Sequence, residues 1–304
     1  MTDIVLLDGG MGQELVRRSK KPAHKQWGAY VMMQEPEIVQ EVHEEYLRAG
    51  ARVITLNTYS STPGRFERFG MPERFEEVQH LGIDLAKAAR DAVGAEALIA
   101  GCMPPLVGSY HPELLPDDAT LLEEYRKIAQ VEADHVDVFI CETMSKASEG
   151  QMAALAAAET GKPVWVAWTL VEELGPDGLP RLRSGETVAE ALAAIDGIDV
   201  AAVMFNCCPP EVMTAGMGLL AADGRPFGGY ANGFTPIPKE FVLGTTVDIL
   251  GKRTDLGPEA YAGHVMEWVG TGATIVGGCC ETGPEHIAEL ARQIDAAGHR
   301  AVAA

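Results

Sequence analysis

Apolar positions along this chain follow two rhythms that take turns from one end to the other. Short β-branched or apolar runs fall at 4–7, 53–56, 97–100, 136–140, 164–168, 200–205, 226–229 and 274–276. Between them lie longer stretches at 36–49, 74–92, 121–133, 152–159, 188–195, 211–222, 258–269 and 284–297. There the apolar residues are spaced by three and four, as Ile38, Val42, Tyr46 and Leu47 are, which is the period of a helix with one buried face. Pro36, Pro258 and Pro284 sit at first-turn positions, and Gly50 and Gly161 sit where helices should stop. Eight strand-then-helix units with nearly continuous apolar strands predict parallel strands buried on both faces. A closed (β/α)8 TIM barrel, one α/β domain over residues 1–304, fits that count, and an open doubly wound sheet is the alternative. The weakest strand is 226–229, where PFGGYANG carries three glycines, and 174–184 reads as a loop.

Composition narrows the class. Of 304 residues, 47% are hydrophobic and 22% charged, so the chain has ample material for a core and is neither disordered nor fibrous. A formal charge of -20 repels phosphate backbones and anionic lipid, so nucleic acid and membrane surfaces are poor partners. No apolar run approaches the ~20 residues that cross a bilayer. Met1-Thr2-Asp3 lacks the basic start of an export signal, and a cytoplasmic protein is expected. In that reducing setting, six cysteines point to packing, metal binding or catalysis rather than to a disulfide framework. Nothing in the pattern sets an oligomeric state.

A barrel carries its site at the C-terminal ends of its strands, so what each strand ends in matters most. The first ends in Asp8-Gly9-Gly10, the second in Asn57-Thr58-Tyr59 and the fourth in Glu142. The sixth ends in Asn206-Cys207-Cys208 and the eighth in Gly277-Gly278-Cys279-Cys280. Adjacent cysteines cannot both face one side of a regular strand. In a glycine-flanked turn, however, the thiolates of Cys279 and Cys280 can reach one ion, with Cys207 the best third ligand and Cys208 its competitor. Zinc suits thiolates, and three protein ligands with a vacant fourth position is the catalytic arrangement. The ordinary alternative is buried cysteine without metal, and Cys102 and Cys141 are read that way. Cys141 and Glu142 should face opposite sides, with Glu142 toward the site.

Other apparent motifs fail. Gly10-Met11-Gly12 lacks the third glycine of a dinucleotide loop, because position 15 is Leu15. His43-Glu44 lacks the second histidine of a zinc protease helix, since Leu47 stands there. No serine sits in a Gly-x-Ser-x-Gly elbow. No lysine ends a strand, although Lys146 lies close after Glu142, which disfavours Schiff-base chemistry.

Four stretches carry a resemblance: LLDGGMGQEL at 6–15, PEIVQEVHEEYLRAGARVITLNTY at 36–59, FNC at 205–207 and GGCCETGPEHI at 277–287. On them the chain resembles the zinc-dependent homocysteine S-methyltransferase family, along essentially its whole length. That group includes betaine– and S-methylmethionine–homocysteine methyltransferases and the homocysteine domain of cobalamin-dependent methionine synthase. The resemblance implies a (β/α)8 barrel with Cys207, Cys279 and Cys280 as zinc ligands. It implies that Asp8, Glu142 and the Gly9-Gly10 backbone hold the amino and carboxylate groups of homocysteine, and Asn206 is grouped with them. Two segments depart from the family pattern: Cys208 follows Cys207 where small hydroxyl residues are common, and the third strand leads into Ala-Gly-Cys-Met-Pro-Pro.

The reaction so implied is methyl transfer from a small cationic donor to the homocysteine thiol, giving methionine. A methylsulfonium or quaternary ammonium donor favours aromatic faces. Tyr59, with Asn57 beside it, is best placed, and Trp27, Trp168, Tyr110 and Phe234 are further rim candidates. Chain length and the missing extensions of relatives make S-methylmethionine or another sulfonium the first donor and betaine the second. Two readings compete: a zinc lyase or hydrolase with Glu142 as acid or base, and a zinc- or thiol-binding protein without catalysis.

Overall fold

The apolar runs pair side by side, all in one direction. In the computed structural model, which describes residues 1–238, 240–241 and 245–303, nine strands form one curled parallel sheet. They are β1 (Asp3–Leu6), β2 (Val53–Thr55), β3 (Leu98–Met103), β4 (Val138–Met144), β5 (Val164–Trp168), β6 (Ala202–Asn206), β7 (Phe227–Tyr230), β8 (Ile275–Val276) and β9 (Arg300–Val302). Their spatial order is β2-β3-β4-β5-β6-β7-β8-β1-β9. The curl brings the first two strands within reach: Arg52 N–H donates to Leu6 O at 2.7 Å and Asp8 N–H to Val53 O at 3.0 Å. The result is a single-domain α/β fold.

Each of the first eight strands is followed by a helix on the convex side. These are α3 (Pro36–Ala49), α5 (Phe75–Val93), α6 (Asp118–Glu132), α7 (Ala147–Ala158), α8 (Val188–Ala194), α9 (Pro210–Asp223), α10 (Pro258–Gly270) and α11 (Pro284–Ala296). Alternate strand residues serve two cores, as expected when both faces of a parallel sheet are covered. Leu6, Ile54, Phe139 and Val203 pack toward the helices. Val5, Ile140, Trp165 and Met204 fill the concave side. The glycine-rich β7 is a strand because its glycines are needed for close approach. A Cβ on Gly228 would lie 1.7 Å from Ile275 O on the neighbouring strand.

Three helices and one strand escape the apolar pattern. The helices are α1 (Met11–Arg18), α2 (Trp27–Gln34) and α4 (Pro63–Arg68), inserted in the loops after β1 and β2. α2 reads WGAYVMMQ, apolar nearly all round, and so shows no helical period. α1 begins at Gly10 with no side-chain cap, and α4 is six residues long. The missed strand, β9, pairs with β1 at an edge, where Arg300 bridges to Asp3. β3 and β4 also run further than their apolar cores, so Glu142 lies inside a strand rather than after one. Among the described residues no helix is long and apolar enough to cross a membrane.

Candidate metal and substrate site

At the C-terminal rim the chain turns sharply after β6, and Cys207 takes φ 52°, in the left-handed region. A non-glycine residue pays about 1–2 kcal/mol to stand there. The turn separates the two adjacent cysteines: Cys207 faces a cavity of about 390 Å³, whereas Cys208 is buried in the helix-side core. Cys279 and Cys280, beyond β8, line the same cavity. The sulfurs of Cys207, Cys279 and Cys280 lie within 4.8 Å of one another, with Cys207 Sγ and Cys280 Sγ 3.7 Å apart. Thiolates ~2.3 Å from a tetrahedral ion stand about 3.8 Å apart, while a disulfide would need ~2.05 Å. The spacing is that of a soft-metal site. Cys207 Sγ accepts from the neighbouring thiols and shares a hydrogen bond with Tyr110 Oη at 3.0 Å, and Asn232 Nδ2 lies 3.9 Å away. These contacts favour its thiolate and lower its pKa, whereas donating to Cys207, together with burial, raises Cys279 and Cys280.

The loop after β1 fits against the cysteine loop only because it lacks side chains. A Cβ on Gly9 would meet Thr282 O at 2.4 Å, and one on Gly10 would meet Cys279 O at 2.4 Å. Gly10 N–H donates to Thr282 O and Gly278 N–H to Asp8 O, at 2.8 and 2.9 Å. The Gly10 amide is therefore already engaged within the protein. These glycines bring the acidic strand end against the thiols.

Two carboxyls face the cavity beside the sulfurs. Asp8 Oδ2 accepts the Thr55 N–H at 2.9 Å, and burial pushes its pKa up to about 8, with Glu142 adding like-charge repulsion. Glu142 follows Val138 and Ile140 on the concave face, while Cys141 turns to the helix side. Its Oε1 accepts from Cys102 Sγ at 3.0 Å and its Oε2 from Tyr230 Oη at 3.4 Å. Burial lifts its pKa to about 7. Asp8 thus holds β2 rather than its own turn, and among the described residues Glu142 makes no ion pair with Lys146. Cys102, read from sequence as packing alone, is a hydrogen-bond donor to Glu142.

A register shift between Cys141 and Met144 interrupts β4 at this point, and Thr143 takes φ 60°. Asn206 secures that shift, accepting from Thr143 N–H at 2.7 Å and donating to Thr143 Oγ1 at 2.9 Å. Asn206 thus supports the site from behind and does not line the cavity, contrary to its grouping with substrate-facing residues. Among the described residues, the non-glycine positions with positive φ are Trp27, Tyr110, Thr143, Cys207 and Glu281. Three line the cavity and two adjoin its residues, so local strain is concentrated here.

Above the sulfurs the wall turns aromatic. Tyr59 Oη pairs with Ser109 Oγ at 2.8 Å, and the Trp27 and Tyr59 rings meet edge to face at 5.8 Å. Tyr110 and Phe234 also line the cavity, as does Asn57, whose amide donates to Gly28 O at 3.2 Å. Trp168 does not belong with them. It is fully buried on the helix side, against Gly150 of α7. Tyr230 and Arg65 line the cavity without having been singled out in the sequence. Tyr230 closes the glycine-rich strand end and was there to be read; Arg65 lies on α4, whose start is marked by Thr62 and Pro63 but whose six residues are too few to show a helical period.

Comparison with known proteins bears on this site. A family model described as homocysteine S-methyltransferase matches residues 5–294. The homocysteine S-methyltransferase of Escherichia coli (strain K12) is 30% identical, over 95% of this chain and 94% of its own. The selenocysteine Se-methyltransferase of Brassica oleracea var. italica is 26% identical, over 95% of this chain and 88% of its own. The metallated form of the Escherichia coli homocysteine methyltransferase MmuM superposes with a TM-score of 0.79 at 28% identity, covering 96% of both chains.

Proposed function

The chain belongs to the homocysteine S-methyltransferase family, and from that premise we propose that it transfers a methyl group from a small cationic donor to the thiol of homocysteine, giving methionine. The observation that carries this reading is the placement of three sulfurs at metal-binding spacing beside two carboxyls in one cavity. A purely structural zinc site would be closed by a fourth protein ligand. Here the cluster opens onto room for an amino acid.

We read the metal as zinc, held by Cys207, Cys279 and Cys280. Their soft donor set and the 3.7 Å sulfur separation fit it. Bound there, zinc would keep the acceptor sulfur as thiolate near neutrality, where a free thiol with a reference pKa of about 8.5 is mostly protonated. The protein's own residues supply orientation. Asp8 and Glu142 take the acceptor's ammonium and ionise as it arrives. The Trp27–Tyr59 pair, with Asn57 at its foot, receives the donor's cationic head. In the transfer, the acceptor sulfur forms a bond to the methyl carbon. The methyl–sulfonium bond breaks, and its electron pair stays on the donor sulfur as a neutral thioether. Alignment of the reacting groups is the remaining requirement.

The curled sheet is read as a closed (β/α)8 barrel, which the bridge between Leu7 and Val53 supports. A cytoplasmic setting suits six free cysteines.

The test is methionine formation by zinc-loaded protein from homocysteine, with S-methylmethionine and betaine as donors and selenocysteine as an alternative acceptor. With S-methylmethionine, two methionines should form per homocysteine consumed, one from each partner. No methyl transfer from any of these donors by the zinc form would overturn the reading in favour of a lyase, hydrolase or storage role.

A further inference from the structure

The methyl donor's cationic head has an aromatic wall to meet, but the same cavity also holds an arginine that forms no ion pair among the described residues. Arg65, the third residue of α4, lines the cavity together with Arg68 from the same helix. Arg68 donates to Val107 O at 3.3 Å. Arg65 Nε is sealed from solvent without a hydrogen-bond partner, and among the described residues its guanidinium enters no ion pair. Among the described residues, the titratable groups that bear on it are Tyr59, Arg68 and Cys102, with no carboxylate among them. Burial and the like charge of Arg68 both work against its charge, and Tyr59 and Cys102, neutral near pH 7, do not offset them. Arg65 is only partly buried, but a sealed donor left unpaired on a guanidinium without a counter-ion is a costly feature, and an anionic ligand in the cavity would offset it through the remaining N–H groups.

The chemistry of that ligand follows from its neighbours. Guanidinium presents a planar fork that matches a carboxylate. Beside it stands Tyr59, paired edge to face with Trp27, a surface for an onium group. A donor that was only a cation would be repelled by Arg65. A donor with a cationic head and an anionic tail satisfies both. The acceptor has its own charged partners in Asp8 and Glu142, and neither is among the groups bearing on Arg65.

We propose that Arg65 binds the carboxylate of the methyl donor and so restricts the enzyme to carboxylate-bearing onium compounds. This rests on the reading of the cavity as a homocysteine methyltransferase site, and it makes Arg65 a specificity-determining residue.

Equilibrium binding, measured by calorimetry, tests it apart from catalysis. The ligands are S-methylmethionine, its carboxamide, and homocysteine, with wild type, Arg65→Gln and Arg65→Lys. Wild type should bind S-methylmethionine about 10- to 150-fold more tightly than the carboxamide, the range of a charge-assisted contact. Arg65→Gln should lose that preference while homocysteine affinity stays within about twofold, and Arg65→Lys should keep part of it. Equal binding of the two donors by wild type overturns the proposal without needing any variant to fold. A preference that survives in Arg65→Gln overturns it too, and so does a matching loss for homocysteine, which would place the acceptor's carboxylate there. If the preference follows Arg65 yet no donor methylates homocysteine, the donor subsite stands and the assigned reaction falls.

Discussion

Asn206 grips Thr143 across two strands, with its carbonyl on the Thr143 N–H at 2.7 Å and its amide on Thr143 Oγ1 at 2.9 Å. Thr143 stands next to Glu142 and Asn206 next to Cys207, so this one pair ties the acidic side of the cavity to the sulfur side. It also holds a backbone that would otherwise leave φ 60°. Replacing Asn206 by Ala strands a buried N–H, at a cost of about 1–3 kcal/mol. Asn206→Ala should therefore lower denaturant midpoints and weaken homocysteine binding at least tenfold. Unchanged homocysteine affinity in a folded variant would show that the pair is only structural.

The sulfur cluster makes a sharper distinction between adjacent cysteines. Serine in place of Cys207, Cys279 or Cys280 should strip most of the metal, because a hydroxyl is a harder and weaker zinc ligand. Cys208→Ser should keep its zinc, since that side chain is packed in the helix-side core with its pKa pushed up to about 12 by burial. Metal content after dialysis, read by mass spectrometry, decides. Full zinc in Cys279→Ser would remove it from the ligand set, and a loss confined to Cys208→Ser would exchange the members of the pair.

Homocysteine should add a sulfur neighbour to the metal, seen as a rise from three to four in X-ray absorption. Protons should be released on binding, because the thiol arrives protonated and Asp8 and Glu142 both hold protons near neutrality. A sulfur count that stays constant at saturating homocysteine would favour water activation at the metal instead.

How much of this was legible beforehand depended on whether a residue's partner was near in sequence. Helix α3 announces itself, with Pro36 in its first turn and Gly50 at φ 114° at its end. The strand-end cysteines were legible because a buried parallel strand has few polar ways to stop. The interruption at Thr143 was not, because its cause lies 63 residues away at Asn206. The same holds for Gly9 and Gly10, whose need to be glycine comes from Thr282 and Cys279 beyond β8. Alternation correctly sent Cys141 outward and Glu142 inward, yet it could not show Cys102 reaching Glu142 from the next strand.

Asp8 carries a pH signature that the free protein should display. Its folded pKa stands near 8 against an ordinary 3.8, so between about pH 4 and pH 8 the folded chain keeps a proton that the unfolded chain has lost. Stability must then fall as pH rises through that window and level off above it. Asp8→Asn removes the titration while keeping an acceptor for Thr55. It should melt at least about 2 °C above wild type at pH 8, the shift expected from about 1 kcal/mol in a large domain, and match wild type near pH 4. Parallel stability curves for the two proteins would show that the carboxyl is not held protonated.

Glu142 allows recognition of the ammonium to be separated from support of the metal. Its carboxyl is already positioned by Cys102 and Tyr230, so Gln at 142 can occupy the same space, its carbonyl accepting from one of them and its amide N–H donating to the other, whose thiol or hydroxyl can turn to accept. What the amide cannot supply is charge. A charge-assisted hydrogen bond to an ammonium contributes roughly 1.5–3 kcal/mol, so Glu142→Gln should bind homocysteine about 10- to 150-fold more weakly with its zinc intact. A thiol of the same reach without the amino group, 4-mercaptobutyrate, has no ammonium to lose. It should bind wild type and variant within about twofold of each other. The comparison can fail in two informative ways. An equal loss for both thiols would mean that Glu142 acts on the metal or the fold. No loss for either would leave Asp8 as the sole reader of the ammonium, and Asp8→Asn should then carry the whole effect.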